Sequence, residues 1–161
     1  MRLVRDTRGA VFVEFLIAFL PLFVFFMCIV ELAFLHVANL VTKHSAYVAA
    51  RSAAVILPDD PSYYGDPVGS PSGQRLSDIE SAAKIPLSAV SSSAPEAKVT
   101  FVGREGSTFA EHDMVRVRVT YEYPCGVPIA NRILCNPFSR KKTFVQEAAM
   151  PNQGSRNEYD Q

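Results

Sequence analysis

Residues 8–23 read RGAVFVEFLIAFLPLF and open an apolar run that continues to Leu35. Between Ala10 and Leu35 the only charged side chains are Glu14 and Glu31. At about 1.5 Å per residue, a helix of this length crosses a hydrocarbon core of about 30 Å, so the run predicts a membrane-spanning helix. A buried core helix is the alternative, but the rest of the chain is too polar and too broken by proline to cover it on all sides.

The basic residues at the N-terminus set the predicted orientation. Arg2, Arg5 and Arg8 precede the span against a single Asp6. The positive-inside tendency therefore leaves the N-terminus in the cytoplasm and exports the bulk of the chain. A cleaved secretory signal peptide competes with this interpretation, but its apolar region is usually about 7–15 residues and ends at small residues. Here the run is longer and the small residue Gly9 precedes it, so a cut in front of the helix is favoured.

The helix is predicted to continue beyond the membrane. Residues 37–57 are rich in Ala, Leu and Val and lack Gly and Pro until Pro58, which favours an amphipathic extension. Such an extension must lay its apolar stripe on the exported part of the chain. The predicted stripe comprises Leu40, Tyr47, Ala50 and Ala54.

The exported part divides into a loop region and a strand region. Residues 58–97 are crowded with Pro, Gly and Ser and predict a loop that contains one short helix, from Leu76 to about Lys84. Residues 98–161 predict an antiparallel β region with a flexible C-terminal tail, and MVRVRVTYEY shows the period-two alternation of a half-buried strand. The predicted strands are 98–102, 114–123 and 141–150.

The predicted fold class is α+β. A long N-terminal helix, with a transmembrane half and an amphipathic half, packs on a small antiparallel sheet in a pilin-like arrangement.

Two cysteines lie in the exported part, where an oxidising compartment permits a disulfide. A bridge between Cys125 and Cys135 closes a loop of about ten residues and would stabilise the fold by about 2–3 kcal/mol. Metal ligation and a pair of free thiols remain alternatives, although two cysteines with no histidine nearby in sequence fall short of a zinc set. Cys28, within the span, is expected to behave as a small apolar residue.

Catalytic signatures are absent from the sequence. His36, His44 and His112 stand apart, without the spacing of a metal site, and neither a Gly-x-Ser-x-Gly elbow nor a phosphate-cradling glycine loop is present. The 16 basic and 16 acidic residues give zero formal charge, so no global field attracts nucleic acid. The sequence predicts a protein that is not an enzyme and has no cofactor, metal or nucleic-acid partner.

Glu14 is the unusual residue of the span. A carboxylate in the hydrocarbon costs about 2.5–3.5 kcal/mol on insertion scales, so it usually has a partner there. One interpretation places Glu14 shallow enough to reach the headgroups. Another requires a cut after Gly9, which creates a cationic amine on Ala10 that pairs with Glu14 of the same chain or of a neighbouring copy.

The order Gly9, AVFV, Glu14 after a short basic leader resembles a class III prepilin signal. RGAVFVEFLIAFLPLF and IVELAF, with Pro21 and Glu31, are similar to the start of TadE-like and TadG-like proteins, the minor pseudopilins of tight-adherence (Flp, type IVc) pilus systems. AYVAARSAAV also resembles the helix that follows the membrane in this family. The similarity covers about the first third of the chain.

The resemblance implies a leader at residues 1–9, a transmembrane helix at residues 10–36, and cleavage by a prepilin peptidase between Gly9 and Ala10. It also implies that Glu14 guides subunit assembly, that Pro21 kinks the helix and that Glu31 is a second intramembrane acid. The implied location is the bacterial inner membrane, single-pass, with a place in the pilus or in its priming. The implied partners are the peptidase, other pilins and pseudopilins, the inner-membrane assembly platform and the lipid bilayer.

Two other functions remain open at this stage. One is an uncleaved, single-pass membrane-anchored module that binds a ligand outside the cytoplasm. The other is a pseudopilin of a type II secretion-like system, which shares the cleavage step but moves folded proteins.

Overall fold

The computed structural model describes residues 7–91, 94–103, 108–110 and 112–153. Its elements are α1 (Thr7–Ile56), α2 (Pro61–Tyr64), α3 (Gly73–Leu87), β1 (Ala97–Phe101), β2 (Met114–Pro124), α4 (Ala130–Leu134) and β3 (Lys141–Pro151). A long N-terminal helix packed on a three-stranded antiparallel sheet confirms the predicted α+β class. The first six residues of the predicted leader and the end of the predicted tail, residues 154–161, lie outside the described residues.

The chain forms two compact units. The first unit comprises Met1–Leu35 and Pro124–Lys142, so it joins the apolar part of α1 to the loop that carries Cys125 and Cys135. The second unit comprises His36–Tyr123 and Thr143–Gln161 and contains the remainder of α1 and most of the sheet.

Helix α1 continues without a break into the second unit, as predicted for residues 37–57. It ends at Ile56, and the Leu57 N–H still donates to the Ala53 carbonyl at 3.0 Å. Pro58 follows at once and cannot continue the ladder, because it has no backbone N–H.

The buried face of α1 in the second unit is made of small residues, and the predicted apolar stripe was half wrong. Ala50 and Ala54 are buried, but Leu40 and Tyr47 are exposed. Small side chains allow the helix backbone to approach the sheet closely, whereas Leu and Tyr on that face would hold the two elements apart. The core contains four alanines of α1 and the leucine that follows the helix: Ala46, Ala49, Ala50, Ala53 and Leu57.

The sheet has the strand order β1-β2-β3, with β1 antiparallel to β2. Val99 lies opposite Val119, and Phe101 lies opposite Val117. The alternation predicted in β2 is confirmed, because Val115, Val117, Val119 and Tyr121 are buried while the arginines between them are exposed. On the exposed face, Arg118 Nη2 of β2 lies 2.6 Å from Glu147 Oε1 of β3.

The region predicted as a loop holds more regular structure than the sequence indicated. Helix α3 starts three residues before the predicted Leu76 and ends three residues after Lys84, and α2 forms one further turn. Gly69 links this region to the core, since its N–H donates to the Leu57 carbonyl at 2.7 Å and its carbonyl accepts from the Phe109 N–H at 2.9 Å. A φ of 79° and the close approach of the Phe109 backbone both require glycine at this position.

Candidate functional site

The predicted cleavage site lies near the start of α1. Gly9 is exposed and helical, and no described atom stands within 4 Å of where a Cβ would be built on it. Its φ is not in the left-handed region that favours glycine. In a helix, glycine costs about 1 kcal/mol relative to alanine, so neither backbone conformation nor described packing explains its presence. The reason for a glycine at position 9 therefore lies outside the contacts of the described fold.

Glu14 lies about one helical turn beyond Ala10 and is exposed. Within the described part of the chain, no hydrogen bond or ion pair joins Glu14 to another side chain. Its surroundings are apolar, and a ladder of stacked rings begins next to it, in which Phe15 and Phe19 have centroids 5.3 Å apart and Phe19 and Phe23 5.8 Å apart. Glu14 is thus a carboxylate on an apolar surface, open to a partner from outside the described fold.

The first part of α1 is long and apolar enough to cross a membrane, and none of its most apolar window is buried. Val11, Phe12, Ile17, Leu20, Leu22 and Phe25 are each more than 60% exposed. The backbone stays helical through Pro21, which has no N–H to offer the carbonyl of Ile17. This missing hydrogen bond is the physical basis for the predicted kink, and the kink itself stays a prediction.

Glu31 has a different environment from Glu14, because it is fully buried. Its Oε2 accepts a hydrogen bond from the Val127 N–H at 2.8 Å, and its Oε1 lies 3.9 Å from Cys135 Sγ. The segment that carries Cys125 and Cys135 therefore folds over this acid. Glu31 and Glu14 are separated by about 25 Å along the helix, so they form two separate sites.

Cys125 and Cys135 form a disulfide with an S–S distance of 1.93 Å. The ligand atoms of Glu31, Cys125 and Cys135 all lie within 4.8 Å of one another, a spacing that suits a metal ion. With both sulfurs in the disulfide, however, the cluster offers only one carboxylate, and metal binding needs deprotonated thiols. Cys28 is half-buried and free.

The contact between Glu31 and the disulfide segment was not predicted. It joins residues 96 positions apart, and the Val127 donor is a backbone N–H that any residue except proline supplies. The only available signal was an acid in an apolar run together with a distant Pro/Gly-rich segment, which is too common to predict a contact.

Arg75 was also missed and anchors the end of α1. Its side chain is fully buried and donates to the carbonyls of Ile56, of Leu57 at 3.2 Å and of Asp59 at 2.9 Å. Ile56 is the last residue of α1, so Arg75 supplies a buried donor at the C-terminal end of the helix, and a cation there also complements the helix dipole.

The ring of Tyr64 completes this anchor. The Arg75 guanidinium carbon lies 4.4 Å from the ring centroid, a cation–π geometry. Burial raises the pKa of Tyr64 above its usual range, and nearby Asp59 and Asp78 raise it further, while Arg75 acts in the opposite direction. The phenol is therefore neutral at physiological pH, and the anchor is structural.

Comparison with known proteins gives no family: no family model, no curated protein and no solved structure matches the chain. The arrangement itself separates the predicted site residues into two groups. Gly9, Ala10 and Glu14 lie together near the start of α1, and Glu31, Cys125 and Cys135 lie together at the disulfide segment.

Proposed function

We propose that this protein is a minor pseudopilin of a tight-adherence pilus, cleaved by a prepilin peptidase between Gly9 and Ala10. In this proposal the chain is a single-pass inner-membrane protein with an exported domain, and it takes part in assembling or priming a type IV-like filament that serves adhesion. Its partners are the peptidase, other pilins and pseudopilins and the assembly platform.

One observation carries the proposal: a glycine that no described contact requires stands five residues before a carboxylate that has no partner among the described residues, on an exposed apolar helix. A peptidase that accepts only a small residue ahead of the cut explains the glycine. The amine created on Ala10 of a neighbouring copy explains the carboxylate, because opposite charges attract strongly where water is excluded.

The remaining architecture supports the same role. The apolar part of α1 offers large side chains to lipid or to neighbouring helices, as a subunit needs if it passes from a membrane into a helical bundle. The disulfide and the three-stranded sheet hold the exported part together through covalent and hydrogen-bonded links, as a domain exposed outside the cell requires.

Glu14→Leu tests the role of the carboxylate. We expect the variant to insert into the membrane as well as the unchanged protein or better, because the desolvation cost is removed, while pilus output falls by roughly tenfold or more. Counting pili on cells and the protein in membrane fractions gives both readouts.

Two matched variants complete this experiment. Glu14→Asp keeps the charge and should retain part of the output, and Ile17→Ala changes the neighbouring apolar surface without touching a charge and should retain most of it. Normal pilus numbers in the Glu14→Leu strain would contradict the proposed role.

A further inference from the structure

The disulfide loop, residues 124–142, exposes large apolar side chains. Ile129 is 48% exposed, Ile133 on α4 is 59% exposed and Phe138 is 96% exposed. Leaving a phenylalanine almost wholly in water forfeits the favourable burial of an aromatic side chain. Three large apolar side chains exposed on one short loop indicate an interaction surface.

Phe138 is held outward by a well-formed turn. Asn136 Oδ1 accepts hydrogen bonds from the Phe138 N–H at 3.0 Å and the Ser139 N–H at 3.3 Å. The Arg140 N–H donates to the Asn136 carbonyl at 2.8 Å and closes the turn. The exposed ring is thus the tip of a hydrogen-bonded turn that is already ordered for contact with a partner.

The loop is attached to α1 at Glu31. Residues 11–30 rise about 30 Å along the helix, which equals the hydrocarbon thickness, and taking them as the span puts Glu31 at the membrane surface instead of within the span of residues 10–36 that the resemblance implies. Glu31 follows directly, and its bond to the Val127 N–H holds the loop beside this point within the same compact unit. With that span, the part of the loop that contacts Glu31 stands at the level of the lipid headgroups.

The charge of the loop differs from that of the rest of the chain. Residues 124–142 contain four basic and no acidic residues, which leaves 12 basic against 16 acidic residues elsewhere. Arg132, Arg140 and Lys142 are exposed. Arg132 precedes the exposed Ile133 directly and Arg140 follows the exposed Phe138 by two residues, a combination that suits a surface of anionic phospholipid, which attracts each nearby Lys or Arg.

We propose that the disulfide loop docks on the outer, anionic surface of the same bilayer that α1 crosses. Phe138 and Ile133 enter the interface between headgroups and acyl chains, and Arg132 and Arg140 contact lipid phosphates. Through Glu31 the docked loop fixes the depth of α1 in the membrane. This inference rests on the proposed membrane span of α1, and it is independent of cleavage after Gly9.

The chain has no tryptophan, so Phe138→Trp introduces a single fluorescent probe at an exposed position. Tyr63→Trp, at a residue that is 75% exposed on α2, is the matched probe outside the loop. Each full-length variant is reconstituted in vesicles of phosphatidylcholine and phosphatidylglycerol. We expect the tryptophan at 138 to emit further to the blue, to be quenched several-fold less by acrylamide in water, and to be quenched by lipids brominated on the acyl chains.

The charge contribution is tested with Arg132→Gln and Arg140→Gln on the Phe138→Trp background. Each change should lower the equilibrium constant for docking of the loop, measured from quenching by brominated lipid, by about fivefold in anionic vesicles. In vesicles of phosphatidylcholine alone it should have little effect.

Equal acrylamide quenching of the two probes, with no quenching by brominated lipid, would overturn the proposal and leave the tip free for a protein partner. Equal docking on the two vesicle types would also overturn it, because the basic residues would then have no role. Ile133→Trp repeats the test with a probe on α4. Resistance of Cys125 and Cys135 to alkylation verifies that each variant keeps its disulfide. Since these readouts do not depend on the N-terminus, failure here is distinguishable from retention of the leader.

Discussion

The two parts of α1 are both helical, but they differ in which side chains are exposed and which are buried. In the first, large residues such as Phe12 and Ile17 are exposed around the helix. In the second, beyond Leu35, the buried face consists of alanines such as Ala46 and Ala53, and larger residues such as Leu40 and Tyr47 point outward. A membrane helix can be apolar on every side because lipid surrounds it, whereas the second part needs only a narrow, flat stripe against a sheet.

The largest expected effect is at the end of the second part. Arg75→Met keeps the approximate volume of the side chain but removes the buried charged donor that bonds to the carbonyls of Ile56, Leu57 and Asp59. Because several hydrogen bonds from a charged donor are lost, we expect a loss of about 3–5 kcal/mol in the free energy of unfolding, measured by urea titration in detergent with circular dichroism. Arg116→Met, at an exposed arginine of β2, is the control and should change stability by less than about 0.5 kcal/mol. Equal stabilities of the two variants would show that Arg75 does not anchor α1.

The second prediction places the same charge in each part of the helix. Ile17 and Leu40 are exposed apolar residues of the first and second parts, at 71% and 54% exposure. Ile17→Arg should oppose membrane insertion by about 2.5–3.5 kcal/mol, and Leu40→Arg should have little effect because residue 40 lies outside the proposed span. The insertion of each variant is measured from the yield of a glycosylation-tagged chain in the membrane fraction. Equal insertion of the two variants would remove the distinction between the two parts.

The third and smallest effect concerns the alanine face. Ala49→Leu inserts a larger side chain between α1 and the sheet, and we expect it to destabilise the second unit by about 1–3 kcal/mol in the same urea titration. Val55→Leu adds a methylene at a half-exposed position of the same helix and serves as the control. If the Ala49→Leu protein were as stable as the control, α1 would not pack closely on the sheet.

Elements that depend on local pattern were predicted correctly. The alternation in MVRVRVTYEY predicted β2 and its buried valines, and the unbroken run up to Pro58 predicted one continuous helix. The apolar stripe of the second part was less well predicted, because hydrophobicity alone favours Leu40 and Tyr47. Closeness of packing, which favours alanine, depends on the partner surface and is not encoded in the helix itself.

The candidate site was predictable where it depends on neighbours in sequence. The disulfide between Cys125 and Cys135 was predicted from its short loop and is present. Gly9 and Glu14 were singled out by a spacing that resembles a prepilin signal, and their roles stay predictions. The burial of Glu31 under the disulfide segment and the Arg75 anchor were not predicted, because both depend on backbone atoms far away in sequence. When a side chain bonds to a backbone group, the sequence contains no complementary side chain from which the contact could be predicted.

The most direct test of the central claim is the N-terminal mass of the protein recovered from its own membranes, with and without the native prepilin peptidase. The account predicts a mature chain that begins at Ala10 when the peptidase is present and an uncut chain when it is absent. A chain that keeps residues 1–9 in the presence of the peptidase would contradict the pilin-type pathway. It would make Glu14 an ordinary acid at the membrane edge and leave a membrane-anchored binding module as the better account.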